Sequence, residues 1–388
     1  MREKHPWLYD LLFITVLLLA AYLRLTGVNW GENQHQHPDE LFLSGVLGSM
    51  QAHTCKDPLI PVEACPPERR RWLSIGEYFN TDASTLNPYN RGQSFFVYGT
   101  LPMFIARYTA EVTGLIEAGP LKLLGRQLSA LADLFTILLL YFIVARIYGR
   151  RVGWLASLFS ALAVMQIQQS HFFTTDLFTN LFMFLAILFA MEIVNYRGTT
   201  HHPFGLRITH FLRNPFFWLS IGFGLTLGMA MASKINAAAL ALMLPGAFAI
   251  RYFIHDRKPN ERNTEHESLL TSHFSLSPDY WSLVTVFLIA GGLATLVSFR
   301  IFQPYAFDGL GLNLHWLSNI SEQRAQAAGS DLPWNLQWAR RSHLYSFTNL
   351  TTWGLGLPLG ILAWAGFLLM GWRIIKGELQ HLLLWGWT

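Results

Sequence analysis

The sequence predicts an all-α polytopic membrane protein organised as one transmembrane domain. Only 13% of its residues are charged while 52% are hydrophobic, and a soluble domain carries roughly 25% charged residues. With 14 Trp and 29 Phe, the composition is that of a polytopic membrane protein and not of a large soluble core. Apolar runs of one-helix length recur along the chain. The net charge of +4 reads as cytoplasmic-loop bias. No Lys/Arg block sits on a polar fold, so no nucleic-acid partner is expected.

The N-terminus, Met1-Arg2-Glu3-Lys4-His5-Pro6, is basic and leads into an apolar run from about Trp7 to Gly27. No small-x-small cleavage site follows, so this run reads as a retained anchor and not as a removed signal peptide. A long loop, 28–125, comes next. It holds Asp39 and Glu40, both cysteines, the Arg69-Arg70-Arg71 run and a half-apolar segment from Phe95 to Val112. Pro102, Arg107 and Glu111 interrupt that segment, so it is either a second crossing or an interfacial helix.

Charge counting decides. Further spans fall at about Leu128–Ala145, Val152–Gln168, Leu177–Val194, Phe217–Ala232, Ala237–Phe253, Leu283–Ile301 and Trp353–Trp372, with another starting near Leu379. If Phe95–Val112 does not cross and the N-terminus is inside, four basic groups fall inside: Arg146/Arg150/Arg151, Arg197/Arg207/Arg213, Arg251/Arg257/Lys258/Arg262 and Arg373/Lys376. A crossing would invert every later loop and break the positive-inside rule, so the segment reads as interfacial. The second large outer loop is then 303–350. The chain stops in an apolar run at Thr388 that is too short to cross, which reads as a fragment or a half-span.

On that topology several ionisable groups gather at the outer ends of helices. Asp39 and Glu40 follow His37-Pro38 behind the first span, Asp176 ends the stretch from Ser170 and His171, and Lys234 closes the run from Gly222 to Ser233. Each has an ordinary structural reading. Pro followed by acids is a common helix start, Asp176 suits a helix N-terminus, and Lys234 could snorkel. Three such groups on one membrane face instead point to a shared cavity, because charge at membrane depth is costly unless paired or solvated. Cys55 and Cys65, both in the first outer loop, are expected to pair as a disulfide rather than remain free thiols.

These motifs, in order, resemble the GT-C superfamily of integral membrane glycosyltransferases, in the branch of protein O-mannosyltransferases and the lipid A aminoarabinose transferase. The resemblance rests on His37-Pro38-Asp39-Glu40, the interfacial segment from Asn87-Pro88 through Ile105, and Arg126-Gln127-Leu128-Ser129-Ala130-Leu131. It continues through the basic turn Ala145 to Arg151, the loop His171 to Asp176, and the Gly-rich helix Gly224 through Lys234. It covers residues 1–250 and is one of style beyond them. It implies a GT-C-like helix bundle whose long first extracytoplasmic loop carries interfacial helices. It also implies inverting transfer of a sugar from a polyprenyl-phosphate donor to a hydroxyl on a lipid, glycan or protein, outside the cytoplasm. Asp39 would be the general base and Glu40 would orient the acceptor. Lys234 and then Arg126 would meet the leaving phosphate, with Arg324, Arg340 and Arg341 as weaker choices. Asp176, His37 and His171 would line the substrate site.

No cofactor is expected, since a monophosphate carrier needs less charge neutralisation than a pyrophosphate. A divalent ion held among His35, His37, Asp39, Glu40, His171 and Asp176 is the less favoured alternative, because the histidines lack dedicated metal-site spacing. A multi-pass protein of the plasma membrane is expected. The competing readings are a non-catalytic membrane scaffold and a transporter. A transporter should show internal repeats and midplane charge, whereas the only notable mid-span charge is Asp133.

Overall fold

Apolar runs in a bilayer fold as helices because their backbone groups find no water and must pair within the segment. The computed structural model of the protein describes residues 6–31, 34, 37–57, 59–61, 64–196, 212–256, 278–329, 339 and 341–388. In chain order the helices and strands are α1 (Pro6–Leu25), α2 (Pro38–Ser49), β1 (His53–Cys55), β2 (Arg70–Trp72), α3 (Ile75–Phe79), α4 (Thr100–Thr113), α5 (Ala118–Tyr148), α6 (Arg150–Leu162), α7 (Val164–Ser170), α8 (Asp176–Asn195), α9 (Pro215–Met231), α10 (Met243–Arg251), α11 (Pro278–Phe302), β3 (Phe307–Asp308), β4 (Gly311–Leu312), α12 (Leu314–Ala327), α13 (His343–Asn349), α14 (Leu357–Ile375) and α15 (Leu382–Trp387). Among the described residues, six helical segments are long and apolar enough to cross a membrane. The protein is an all-α, multi-pass membrane bundle.

Three segments differ from expectation, each for a visible reason. The expected Leu128–Ala145 span is part of α5, which has 31 residues. At 1.5 Å per residue it is about 46 Å long, well beyond the roughly 30 Å of hydrocarbon. Its first turns, carrying Lys122 and Arg126, therefore reach the loop layer and pack on α2 and α4. The expected Val152–Gln168 span is instead α6 and α7, which meet at Ala163. The orphan carbonyls at the end of α6 are capped from α1: Arg24 donates to Ala161 O (3.0 Å) and Ser160 O (3.2 Å) and pairs with buried Asp133 at 2.5 Å. The mid-span charge of Asp133 is thus matched by Arg24. The span near Ala237 opens as a 3-10 segment, Ile235–Leu242, before α10.

The ambiguous segment forms α4, at 14 residues too short to cross. Its interrupting charges satisfy one another: Arg107 Nε donates to Glu111 at 2.9 Å, and Glu111 faces His53 Nδ1 at 3.1 Å. Cys55 and Cys65 form a disulfide beside the antiparallel β1–β2 ladder. The two large loops lie at the same end of the bundle. Gln303 Oε1 accepts from Thr100 N (2.6 Å), the hydroxyls of Tyr305 and Ser84 are 2.7 Å apart, and Asn319 Oδ1 accepts from Phe96 N (2.8 Å).

Helices in lipid associate by close packing, which favours small residues at the contact. The Gly-rich α9 uses this against α11. A Cβ on Gly224 would lie 2.1 Å from Gly291 O, and one on Gly228 would lie 2.6 Å from Ser298 Cβ. Ser298 Oγ donates to Leu225 O at 2.7 Å. Gly292, one residue from the contact, would meet nothing. Gly224→Val is therefore expected to cost at least the roughly 1–3 kcal/mol of overpacking and so to lower the melting temperature in detergent, while Gly292→Val leaves it near the parent value. Equal melting curves for the two variants would contradict this account of the α9–α11 contact.

Candidate functional site

The site begins at the N-terminus of α2. His37 is the N-cap, its Nδ1 accepting from Asp39 N at 3.2 Å, and Pro38 takes the first helical position. Adjacent residues on a helix point about 100° apart, so Asp39 and Glu40 cannot share an environment. Glu40 lies with Leu43 and Leu47, three and seven residues on, and all three are fully buried. Asp39 lies on the neighbouring face and is half-buried.

Buried Glu40 is fully engaged. Its Oε1 accepts from Arg126 Nε (2.7 Å) and Phe173 N (3.0 Å), and its Oε2 from Arg126 Nη2 (2.7 Å). Arg126, 1% exposed, also donates from Nη1 to Val28 O (3.1 Å) and Trp30 O (3.0 Å). Its guanidinium sits 5.3 Å from the Trp30 ring centroid. Gly125 makes room for this arrangement, since a Cβ there would lie 2.5 Å from the Phe173 ring. One bidentate ion pair thus fastens the 28–30 turn, α2, α5 and the 171–173 loop together.

Asp39 remains open. Among the described residues no Lys or Arg pairs with it. Burial holds the Tyr98 phenol well above its ordinary range, and the nearby Asp39 carboxylate and then Asp176 add to the shift. Tyr98 therefore places Asp39 and Asp176 in one cluster. Gly99 N donates to Ser233 O (3.1 Å) and Leu101 N to Ala232 O (3.1 Å). A Cβ on Gly99 would lie 2.0 Å from Ala232 O, so only glycine lets this strap lie on the turn before Lys234. Lys234 Nζ then donates to Asp176 Oδ1 at 2.6 Å, both side chains remaining partly solvated.

Tyr98 thus lies near both Asp39 and Asp176, and Lys234 pairs with Asp176, Tyr98 being a member that sequence reading passes over. A lone Tyr in the run Phe95-Phe96-Val97-Tyr98 has no spacing that singles it out. Two expected roles do not match the placement. Glu40 is fully buried with both oxygens bonded, so neither is open to an acceptor, and Arg126 has four of its five N–H donors engaged. A signal for Glu40 exists in the sequence, in its i, i+3, i+7 register with Leu43 and Leu47. His171 places both ring nitrogens against backbone carbonyls, Ile167 O at 2.8 Å and Thr26 O at 3.0 Å. It also lines a shallow apolar cleft of about 310 Å³ with Gly27, Trp30, Gln168 and Phe172. Arg324 and Arg341 are exposed, while His35 and Arg340 lie outside the described residues. Among the described residues no three or more His, Cys, Asp or Glu side chains group as metal ligands.

Removing one partner of a buried ion pair leaves the other charge uncompensated, which costs about 3–5 kcal/mol. Glu40→Gln and Arg126→Met should each abolish the cooperative melt of the parent or lower it sharply. The double variant should melt above both singles, and a strictly additive loss would show that the two residues act independently.

Comparison with known proteins agrees with this architecture. Residues 104–203 match the family model described as dolichyl-phosphate-mannose-protein mannosyltransferase. No curated protein matches the chain in sequence. Among solved structures, the Archaeoglobus fulgidus oligosaccharyltransferase in its apo form aligns with a TM-score of 0.55 at 13% identity, over 99% of this chain and 47% of that one. The same organism's oligosaccharyltransferase AglB, in complex with an inhibitory peptide and a dolichol-phosphate, aligns with a TM-score of 0.52 at 14% identity over the same shares. The S. cerevisiae protein O-mannosyltransferase Pmt1-Pmt2 complex bound to the sugar donor gives 0.48 at 14% identity, over 80% of this chain and 35% of that one. The chain thus spans less than half the length of these solved chains. At such identities the likeness is one of architecture, and the chain has the fold of the GT-C integral membrane glycosyltransferases.

Proposed function

We propose that this chain is a membrane glycosyltransferase moving a sugar from a polyprenyl-phosphate carrier to a hydroxyl acceptor, with inversion, on the extracytoplasmic side of the plasma membrane. The observation that carries the reading is the contrast between two adjacent acids: Glu40 is buried in an ion pair, whereas Asp39 is half-buried and, among the described residues, without a cation. A general base needs a carboxylate that stays ionised and lies within reach of the hydroxyl it deprotonates. Asp39 takes the acceptor proton as the hydroxyl oxygen attacks the anomeric carbon. The bond from that carbon to the phosphate oxygen breaks, and the polyprenyl phosphate leaves with the bonding pair. Attack opposite the leaving group inverts the centre.

The leaving phosphate needs cationic donors as its charge develops. Lys234 gives one N–H to Asp176 and an ammonium has three, so it can meet a phosphate without releasing its partner. Asp176 and Tyr98 border the sugar and acceptor, and His37 offers Nε2 at the rim. The match to the dolichyl-phosphate-mannose family model over 104–203 and the dolichol-phosphate of the AglB complex support a lipid-phosphate donor. The acceptor is a hydroxyl on lipid, glycan or protein.

In proteoliposomes offered a panel of radiolabelled polyprenyl-phosphate sugars, Asp39→Asn is expected to lose transfer by about 10²-fold or more with donor binding retained. Transfer from no donor, or an unaffected variant, would move the assignment to a non-catalytic scaffold. Because a monophosphate leaving group is met here by side-chain cations, transfer should persist in excess EDTA. Loss on chelation with recovery on adding a divalent ion would instead assign a resident metal to the site.

A further inference from the structure

Residues four apart stack on one face of a helix, so Lys122 lies one turn before Arg126 on α5. Its surroundings are different. Arg126 is matched by Glu40 and two carbonyls. Lys122 is only 3% exposed and makes no hydrogen bond or ion pair among the described residues. Its ammonium interacts electrostatically with Arg126 and Glu40. Two cations and one carboxylate therefore share a buried patch, and one positive charge is left over. An ammonium is a strongly hydrated point charge with three donors and no acceptor. Burying it without a counter-ion is costly, and such groups at membrane proteins mark ligand sites.

The patch is built on the same first turn of α2 as the proposed base, Glu40 turning into it and Asp39 lying on the neighbouring face. The positive end of that helix adds to the same field. We propose that Lys122 is an anion subsite that holds the phosphate of the polyprenyl-phosphate donor. The assignment rests on the lipid-phosphate reading above and adds to it a residue buried in the resting protein. Lys234 is partly solvated and shared with Asp176, whereas Lys122 has all three donors to give.

The test uses the full chain in nanodiscs, comparing the parent with Lys122→Met and Lys122→Arg. Binding is read from tryptophan fluorescence and from the ligand-induced rise in melting temperature. The probes are sugar-free polyprenyl phosphate, uncharged polyprenol, inorganic phosphate and phosphatidylglycerol. Without ligand, Lys122→Met should melt at or above the parent, because it removes an uncompensated buried charge. It should bind polyprenyl phosphate about tenfold or more weakly, with weak polyprenol binding unchanged, and Lys122→Arg should recover part of the loss.

A Lys122→Met protein that fails to fold would overturn the proposal, since it would show that the ammonium is already matched within the protein. Unaltered polyprenyl phosphate binding would overturn it as well. Equal Lys122-dependent binding of phosphatidylglycerol or inorganic phosphate would reduce the site to a general anion site and remove the donor assignment. The two readings separate cleanly. Lys122-dependent binding without transfer from any donor would retain the subsite and discard catalysis. Asp39-dependent transfer with unchanged binding in Lys122→Met would do the reverse.

Discussion

The ion pair between Glu40 and Arg126 is the constraint on which the rest of the site depends. Both side chains are essentially removed from solvent, so neither is kept for the modest Coulombic gain of a surface pair. Their value is geometric. The bidentate contact fixes the rotation of α2 about its axis, and the donors left on Arg126 hold the Val28–Trp30 turn. Once Glu40 is turned inward, the 100° step of the helix leaves Asp39 on the adjacent face, towards Tyr98. The position of Asp39 is thus a consequence of what its neighbour does.

A second constraint is close backbone approach. Asp39, Tyr98, Asp176 and Lys234 come from four separate parts of the chain, and small residues bring those parts together. Gly99 lies against the carbonyl of Ala232, Gly125 under the ring of Phe173, and Gly224 against the carbonyl of Gly291. The last contact holds α9, whose end carries Lys234, and the first sets Tyr98 beside that end. Coupling the site to helix packing in this way ties these ionisable groups to the rigid elements of the bundle.

Much of this was legible in the sequence, and the failures have physical causes. Hydropathy locates helical spans well because a bilayer leaves backbone groups no water and helices bond them internally, and the two large loops of the positive-inside count are joined by the Thr100–Gln303 bond. Hydropathy also hides structure. The first turns of α5 read as loop because Lys122 and Arg126 interrupt them, although long helices with polar ends are ordinary. The break at Ala163 has no Gly or Pro to announce it, and the carbonyls before it are met by Arg24, more than a hundred residues away. The acidic pair illustrates the same limit. Adjacency in sequence suggests two carboxylates sharing a task, and only the phase of α2 against Leu43 and Leu47 separates the buried one from the open one.

Six charges around the site follow a simple pattern. The acids Asp39, Glu40 and Asp176 face the bases Lys122, Arg126 and Lys234. Glu40 is matched by Arg126 and Asp176 by Lys234, which leaves Asp39 and Lys122 unmatched among the described residues. If the six existed only to hold the fold, the remaining acid and base would gain most by pairing with each other. They are held apart instead, one half-open at the rim and one buried beside a matched guanidinium. The proposed transfer, which removes a proton from an acceptor hydroxyl and releases a phosphate, has use for a free carboxylate and, beside the shared Lys234, for a further cation. Pairing Asp39 with Lys122 would neutralise both, so their separation supports that reading.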